Sequence, residues 1–431
     1  MNKELPRSLG LVDSVAIVVG VIIGGGIFMV PNLVARSLPS AKWIMLCWAF
    51  AGVVSFFGAL ASAELGAALP ATGGQYVFIR ETYGRMPAFL CGWSNFVVAR
   101  TAQVSWLAVT FALYVSYLVP LPGYSGKVLA IFMIVLFALV NYVGVTPGAW
   151  VQKIFAGAKL VGLAIIIIGA FLAKPVAAAV APAPEAHITM PLFGVALIAC
   201  LLSFDGWVQM SYVAGEIKRP EKTILRALMI GVSIVIAVYL LANLAYLRML
   251  SIAEIAASAH VGANAAERAL GPIGGTLVTV IILLSISGAM NGCFLTSPRG
   301  YFAQAQDGLF FRQFAVVHPR FQTPGFAILA QAAWAIILIL LGTYDTLMEY
   351  ALVATWLFYG LMVAGVIVLR RTRPELPRPY RMWGYPFTPA LFVAVTLWFL
   401  VNTVISRPLP SLAALGLVAA GIPAYFIWRK T

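Results

Sequence analysis

Apolar runs of membrane-spanning length recur along this chain at about 13–35, 43–69, 88–118, 127–146, 152–173, 190–214, 227–249, 273–297, 325–343, 346–369, 387–405 and 409–428. A helix that crosses a bilayer takes about 20 apolar residues. The pattern therefore predicts an all-α membrane protein with twelve transmembrane helices. Composition closes off the alternatives. Only 10% of the residues are charged and 62% are hydrophobic, whereas a soluble domain carries roughly 25% charged residues. Too little charge remains to wet a globular surface of this size, which excludes a soluble enzyme, a nucleic-acid binder and a disordered scaffold.

An even number of spans puts both termini on one side. Of the 28 lysines and arginines, nineteen fall on the side of the N-terminus and seven on the other, with Arg100 and Lys159 inside spans. Short cytoplasmic loops collect Lys and Arg, so both termini are expected in the cytoplasm. The first run is long and lacks a small-residue cleavage pattern, unlike a secretory signal peptide. The loops, about 70–87, 174–189, 250–272, 298–324 and 370–386, are too short for a separate domain, so residues 1–431 read as one membrane domain. Cys47, Cys91, Cys200 and Cys293 sit in different apolar runs with no CxxC pair, and His187, His260 and His318 are scattered. Neither a disulfide framework nor a metal site is expected, and no cofactor is implied.

Two spans contradict themselves locally. The first carries Gly24, Gly25 and Gly26 in mid-run, each costing a helix about 1 kcal/mol relative to Ala. The sixth carries Asp205 and Gly206 near its middle. An intramembrane carboxylate beside a helix breaker makes sense where backbone opens onto a wet cavity. Spans one to five (about 13–173) and six to ten (about 190–369) would be inverted repeats, with the spans over 387–428 as additions. Paired interruptions in inverted halves mark a transporter's binding site. Free amides at a half-helix N-terminus suit a carboxylate, and carbonyls at a half-helix C-terminus suit an ammonium. Together they make a receptor for a zwitterion such as an α-amino acid. Two plainer readings stay open: the glycines permit close helix packing, and Asp205 caps the second half of span six.

The run Ile22-Ile23-Gly24-Gly25-Gly26-Ile27-Phe28 resembles the signature of the amino acid–polyamine–organocation (APC) transporter superfamily. Glu64-Leu65-Gly66, Pro70, Gly73-Gly74, Tyr76 and Tyr83-Gly84 resemble its second helix and first cytoplasmic loop. Val151-Gln152, Ala158-Lys159-Leu160, Asp205-Gly206-Trp207, Asn243-Leu244-Ala245-Tyr246, Asn291-Gly292, Thr296-Ser297, Arg373-Pro374-Glu375 and Arg378-Pro379 are similar to its L-type amino acid transporter branch. The resemblance implies a fold of the leucine-transporter type with helices one and six broken, and amino acid transport by alternating access. It implies that the substrate carboxylate meets amides of Gly24, Gly25 and Gly26. The ammonium would meet carbonyls of Ile22, Ile23, Leu202, Ser203 and Asp205. Lys159 would bridge spans one and eight near Gly24, through Ser285 or Ser287, where sodium-coupled relatives hold an ion, so transport is expected to be Na⁺-independent. The family's aromatic gate is replaced by Leu202, which would shift gating to Phe204, and Trp356 matches a pocket-wall position. The family's usual middle serine is Gly25 here. Animal members carry a partner-linking cysteine after span three; Pro120 to Lys127 has none, so no disulfide-linked heavy chain is expected and a bacterial, partner-free carrier is.

Arg100 has no partner legible in the sequence; it either holds a gate or touches substrate. Glu64 is expected to anchor a loop at the end of span two. The expected function is exchange of neutral L-amino acids across the cell membrane. Proton-coupled uptake, or a cationic amino acid or polyamine as substrate, is the alternative. A channel would show a repeated pore motif, a sensor a signalling domain and an enzyme a nucleophile or metal motif; none is visible.

Overall fold

A computed structural model of the chain describes residues 5–175, 188–342 and 344–428. Lys3, His187, Arg429, Lys430 and most of the 174–189 loop lie outside them. No strand occurs among the described residues beyond an isolated pairing of Leu9 with Ile217.

The first apolar run folds as α1 (Leu11–Ile22), α2 (Gly26–Met29) and α3 (Pro31–Ser37). The Gly10 amide donates to the Asp13 carboxylate at 2.9 Å, capping the start of α1. Then come α4 (Ala41–Ala68) and α5 (Gln75–Tyr83), and a third run built as α6 (Arg85–Ser94), a π-helical turn over Asn95–Ala99 and α7 (Arg100–Leu118). Next are α8 (Ser125–Val143), α9 (Val145–Leu172), the half-length α10 (Met190–Ser203), α11 (Gln209–Tyr212) and α12 (Pro220–Met249). Two loop helices, α13 (Ile252–Ala257) and α14 (Val261–Leu270), lead into α15 (Pro272–Gln306). The chain closes with α16 (Gly325–Leu341), α17 (Tyr344–Thr372), α18 (Phe387–Ser406), α19 (Pro408–Ala419) and α20 (Gly421–Trp428).

Local chemistry sets several ends. Pro220 and Pro272 stand in the first turns of α12 and α15, where no amide partner is lost. Gly342 adopts a left-handed conformation just past α16, the geometry that closes a helix. On α13, Ser251 and Glu254 form a reciprocal cap. The Arg268 guanidinium, together with Ser251, holds the Glu254 carboxyl at about 2, so what this cap contributes to stability is complete above the usual carboxylate range and is lost progressively as the pH falls toward that value.

Ten helices among the described residues are long and apolar enough to cross a membrane, and two apolar helices are shorter, Met190–Ser203 and Gly325–Leu341. The observed helices outrun the apolar runs. α9 begins at Val145 and α12 at Pro220, several residues before the hydropathy rises, because a polar first turn is still helical. Residues 298–306, expected as loop, are the last turns of α15: Pro298 is accommodated and Arg299 is fully buried. The interruptions fall at residues 23–25 and 204–208. α1 packs against α9, α12 and α15, so the first break is enclosed on three sides.

The first and last described segments lie beside the end of α15. Arg7 lines a cavity with Gln306 and Asp307, and the Trp428 ring stacks on Phe310 at 5.6 Å. Ion pairs concentrate on this terminal face: Arg80 with Asp307 at 2.6 Å, Arg373 with Glu81 at 2.8 Å and Lys153 with Asp13 at 2.9 Å. Glu64 receives Arg370 at 2.8 and 2.6 Å and the Met382 amide at 2.6 Å, tying α4 to the segment after α17.

Candidate functional site

The two breaks meet. A Cβ on Gly26 would stand 3.2 Å from Cα of Ser203, and a Cβ on Gly206 would stand 3.2 Å from the Ile22 amide. Each interruption therefore needs a glycine where it crosses the other helix end. Gly206 has a second reason, a φ of +125° that L side chains rarely adopt. Gly24, Gly25 and Gly26 are not in that left-handed region. Tyr239 on α12 joins the two ends: its hydroxyl lies 3.1 Å from the Ile22 carbonyl and 3.0 Å from that of Ser203, the last residues of α1 and α10.

Peptide groups at the breaks divide into claimed and unclaimed. The Gly24 amide donates to the Ile22 carbonyl at 2.8 Å. The Ile23 carbonyl accepts from Lys159 Nζ at 2.6 Å and Ser285 Oγ at 2.8 Å, which fills both its lone pairs. Among the described residues no protein hydrogen bond is made by the Gly25 or Gly26 amides, and none ends on the Phe204 or Asp205 carbonyls. The Gly206, Trp207 and Val208 amides and the Trp207 carbonyl of the second break are likewise unclaimed among the described residues, so the crossing keeps both free donors and free acceptors for a ligand.

Lys159 is completely buried. Its ammonium donates to the carbonyls of Gly20 at 2.9 Å, Ile23 at 2.6 Å and Ser285 at 3.1 Å, so one cation closes the C-terminal end of α1 onto α15. A cation at that end is favoured by the helix dipole. The contacts run through Ser285, not Ser287.

Asp205 is no helix cap, because α11 begins at Gln209 with no side-chain cap. Its carboxylate instead accepts a short hydrogen bond from the Tyr359 hydroxyl and faces Arg100 Nη1 at 3.5 Å. Arg100 Nη2 donates to the Tyr359 hydroxyl at 2.9 Å. The π-helical turn that precedes Arg100 offsets the register of α7 at the point where this guanidinium enters the core. The cluster ties α7, the second break and α17 together. Tyr359→Phe is expected to lower uptake about tenfold through loss of a charge-assisted hydrogen bond, read from initial rates in proteoliposomes.

A cavity of about 660 Å³ stands beside this cluster, with Leu202, Asp205 and Arg100 in its wall and Arg36, Glu349 and Arg407 at the ends of the helices that form it. It opens on the face opposite the termini. Gly24, Gly25 and Gly26 are not in its wall. Leu202 is 41% exposed toward it, whereas Phe204 is fully buried in an aromatic cluster with Trp48 and Tyr239. Phe204 therefore packs the core and is not in the cavity wall; a one-residue step around a helix end separates the two positions. Trp356 reaches the cavity wall but is 3% exposed and stacked on Phe399 at 4.5 Å, which makes it a packing residue foremost.

The family model for amino acid permease matches residues 9–420. The chain belongs to the amino acid permease family. It thereby falls in the APC superfamily, and its relatives include transporters of the L-type. It is 33% identical to the serine/threonine exchanger SteT of Bacillus subtilis, over 100% of this chain and 98% of that one. It is 32% identical to the human b(0,+)-type amino acid transporter 1, over 99% of this chain and 89% of that protein. The human cystine/glutamate transporter is 30% identical, over 99% and 87%.

Within the permease, sequence reasoning placed Ser203 and Asp205 at one break and Gly25 and Gly26 at the other, and the structure brings the two together. It missed Tyr239 and Tyr359. A tyrosine in an apolar run carries no mark that distinguishes a bridging hydroxyl from packing; only the Asn243 motif one turn away lay near the first. All four cysteines are buried.

Proposed function

We propose that the permease is a secondary carrier of neutral L-amino acids in the bacterial cell membrane, working by alternating access. Its single membrane domain has twelve spans, with five-helix inverted repeats over about 13–173 and 190–369 and both termini cytoplasmic. The two shorter apolar helices supply the spans beyond the ten long ones, and the excess of Lys and Arg on the terminal face supports the orientation. The cavity then faces outside while the ion-paired face is shut, an outward-facing state.

One observation carries this reading: at the crossing of the two breaks, the Gly25 and Gly26 amides on one broken helix and the Phe204 and Asp205 carbonyls on the other are among the peptide groups left without partners. The amides take the α-carboxylate and the carbonyls take the α-ammonium, leaving the side chain to Leu202 and the cavity. Gly24 and Ile23, whose groups are spent within the protein, shape the turn. The carboxylate of Asp205, the feature that a cationic substrate would want, is already matched by Arg100, which favours neutral side chains.

Exchange is the mode supported by relatives such as the serine/threonine exchanger. Counterflow in proteoliposomes tests it: preloaded neutral amino acids should accelerate entry of labelled leucine or alanine, and no acceleration by any of them removes exchange. Lys159 Nζ already fills the end of α1 with its three carbonyl contacts, so replacing sodium with choline should leave uptake within about twofold. Loss of uptake in choline would show that a sodium ion is needed after all.

A further inference from the structure

Glu216 closes the segment after α11 and is fully buried, as is Arg299 on α15. Their side chains pair at 2.8 Å (Nε–Oε1) and 3.3 Å (Nη2–Oε2). The backbone of the same glutamate is engaged elsewhere. Its carbonyl accepts from the Ser8 and Leu9 amides, each at 2.9 Å, and the Lys218 amide donates to the Leu9 carbonyl at 2.9 Å. The N-terminal strap, the end of the second broken helix and α15 thus converge on one residue. Packing around it leaves no slack: a Cβ on Gly300 would stand 2.8 Å from the Tyr212 ring, and one on Gly74 would stand 2.7 Å from the Tyr212 amide.

Arg299 Nη1 is buried without a partner among the described residues. A dry ion pair with an unsatisfied donor is a poor way to hold a static core together, since desolvation offsets much of the attraction. It suits a contact that is broken and remade, because water hydrates both charges once the face opens. The charged contacts on the opposite face, Arg268 with Glu254 and Arg407 with Glu349, are solvent-exposed and involve no comparable burial.

We infer that Glu216 and Arg299 are the positioning pair that holds the terminal face shut, and that release of the pair frees the N-terminal strap in the same step. The inference rests on the alternating-access reading above. Loosening the pair raises the population of the state open toward the terminal face. That lowers the competent fraction seen from outside and raises it from inside, so apparent affinities on the two sides move in opposite directions.

The test uses the full chain in oriented proteoliposomes, with labelled leucine offered from either side. Glu216→Gln is expected to raise the external KM about fivefold and to lower the internal KM, and the reciprocal pair Glu216→Arg with Arg299→Glu should bring both back. A merely structural loss would reduce Vmax without splitting the two KM values. Amide hydrogen exchange of the same variant should speed up about tenfold at Ser8, Leu9 and Lys218. Should Glu216→Gln fail to fold, Ser8→Pro removes one strap bond while leaving the ion pair, and it should shift the ratio of KM values the same way. An unchanged ratio in a folded variant, with unchanged exchange of those amides, overturns the inference. If wild-type vesicles move no amino acid at all, the transport reading fails, while the exchange measurement still decides whether pair and strap release together.

Discussion

Replacing Lys159 with methionine is expected to lower amino acid uptake by about tenfold or more. The two side chains are similar in length, so the substitution removes the charge and the donors with little change in volume. Three carbonyls lose their ammonium, those of Gly20, Ile23 and Ser285. The Ser285 hydroxyl still serves Ile23, at 2.8 Å, and the Ser285 carbonyl keeps its place in the α15 ladder, so the Gly20 carbonyl bears most of the loss. A buried acceptor left unsatisfied costs about 1–3 kcal/mol. That corresponds to roughly a five- to hundredfold fall in the population with α1 docked on α15, since about 1.4 kcal/mol is a factor of ten. Initial uptake rates and a thermal melt of the purified variant check this. Wild-type uptake would show that the ammonium is not part of the working geometry of the break.

The second large effect is at Gly206. Valine there must adopt φ near +125°, and its Cβ would stand 2.8 Å from Val21 Cγ1 and 3.2 Å from the Ile22 amide. A β-branched residue in that region is strained by about 1–3 kcal/mol before any clash is counted. Backbone must move, and what moves is the contact between the two breaks. Gly206→Val is expected to remove transport and the stabilisation by added leucine that a substrate-bound carrier shows. Gly25→Ser is the matched control. A Cβ on Gly25 meets only Met29 Sδ, at 3.6 Å, an ordinary contact, so uptake should stay within about threefold of wild type. Gly26 is not a clean probe of carboxylate binding, because any side chain there meets Ser203 first.

These effects also show what the sequence discloses and what it hides. Helix breaks are legible because a triple glycine and an aspartate stand out against an apolar run. Lys159 is legible for the same reason, as an isolated charge. Partners are much harder. The groups that bind Lys159 are backbone carbonyls, which every residue has, so nothing in the letters Gly20 or Ile23 announces them. Arg100 is visible as a buried charge, but its partner Tyr359 lies two and a half hundred positions away among residues chosen for packing. Glu216 and Arg299 look like charges on cytoplasmic loops. Their complete burial follows from α15 continuing past Pro298, which hydropathy alone marks as an end. Helix starts are misplaced for a related reason: apolar runs trace the bilayer, whereas helices such as α9 and α12 extend beyond it.

The central claim is that the unclaimed peptide groups of the two breaks hold both ends of the amino acid. A density map of the permease with bound leucine tests it most directly. The account predicts the carboxylate within hydrogen-bond distance of the Gly25 and Gly26 amides and the ammonium at the Phe204 and Asp205 carbonyls. Leucine resting wholly in the cavity between α7, α17 and α18, with those four groups empty, would contradict it.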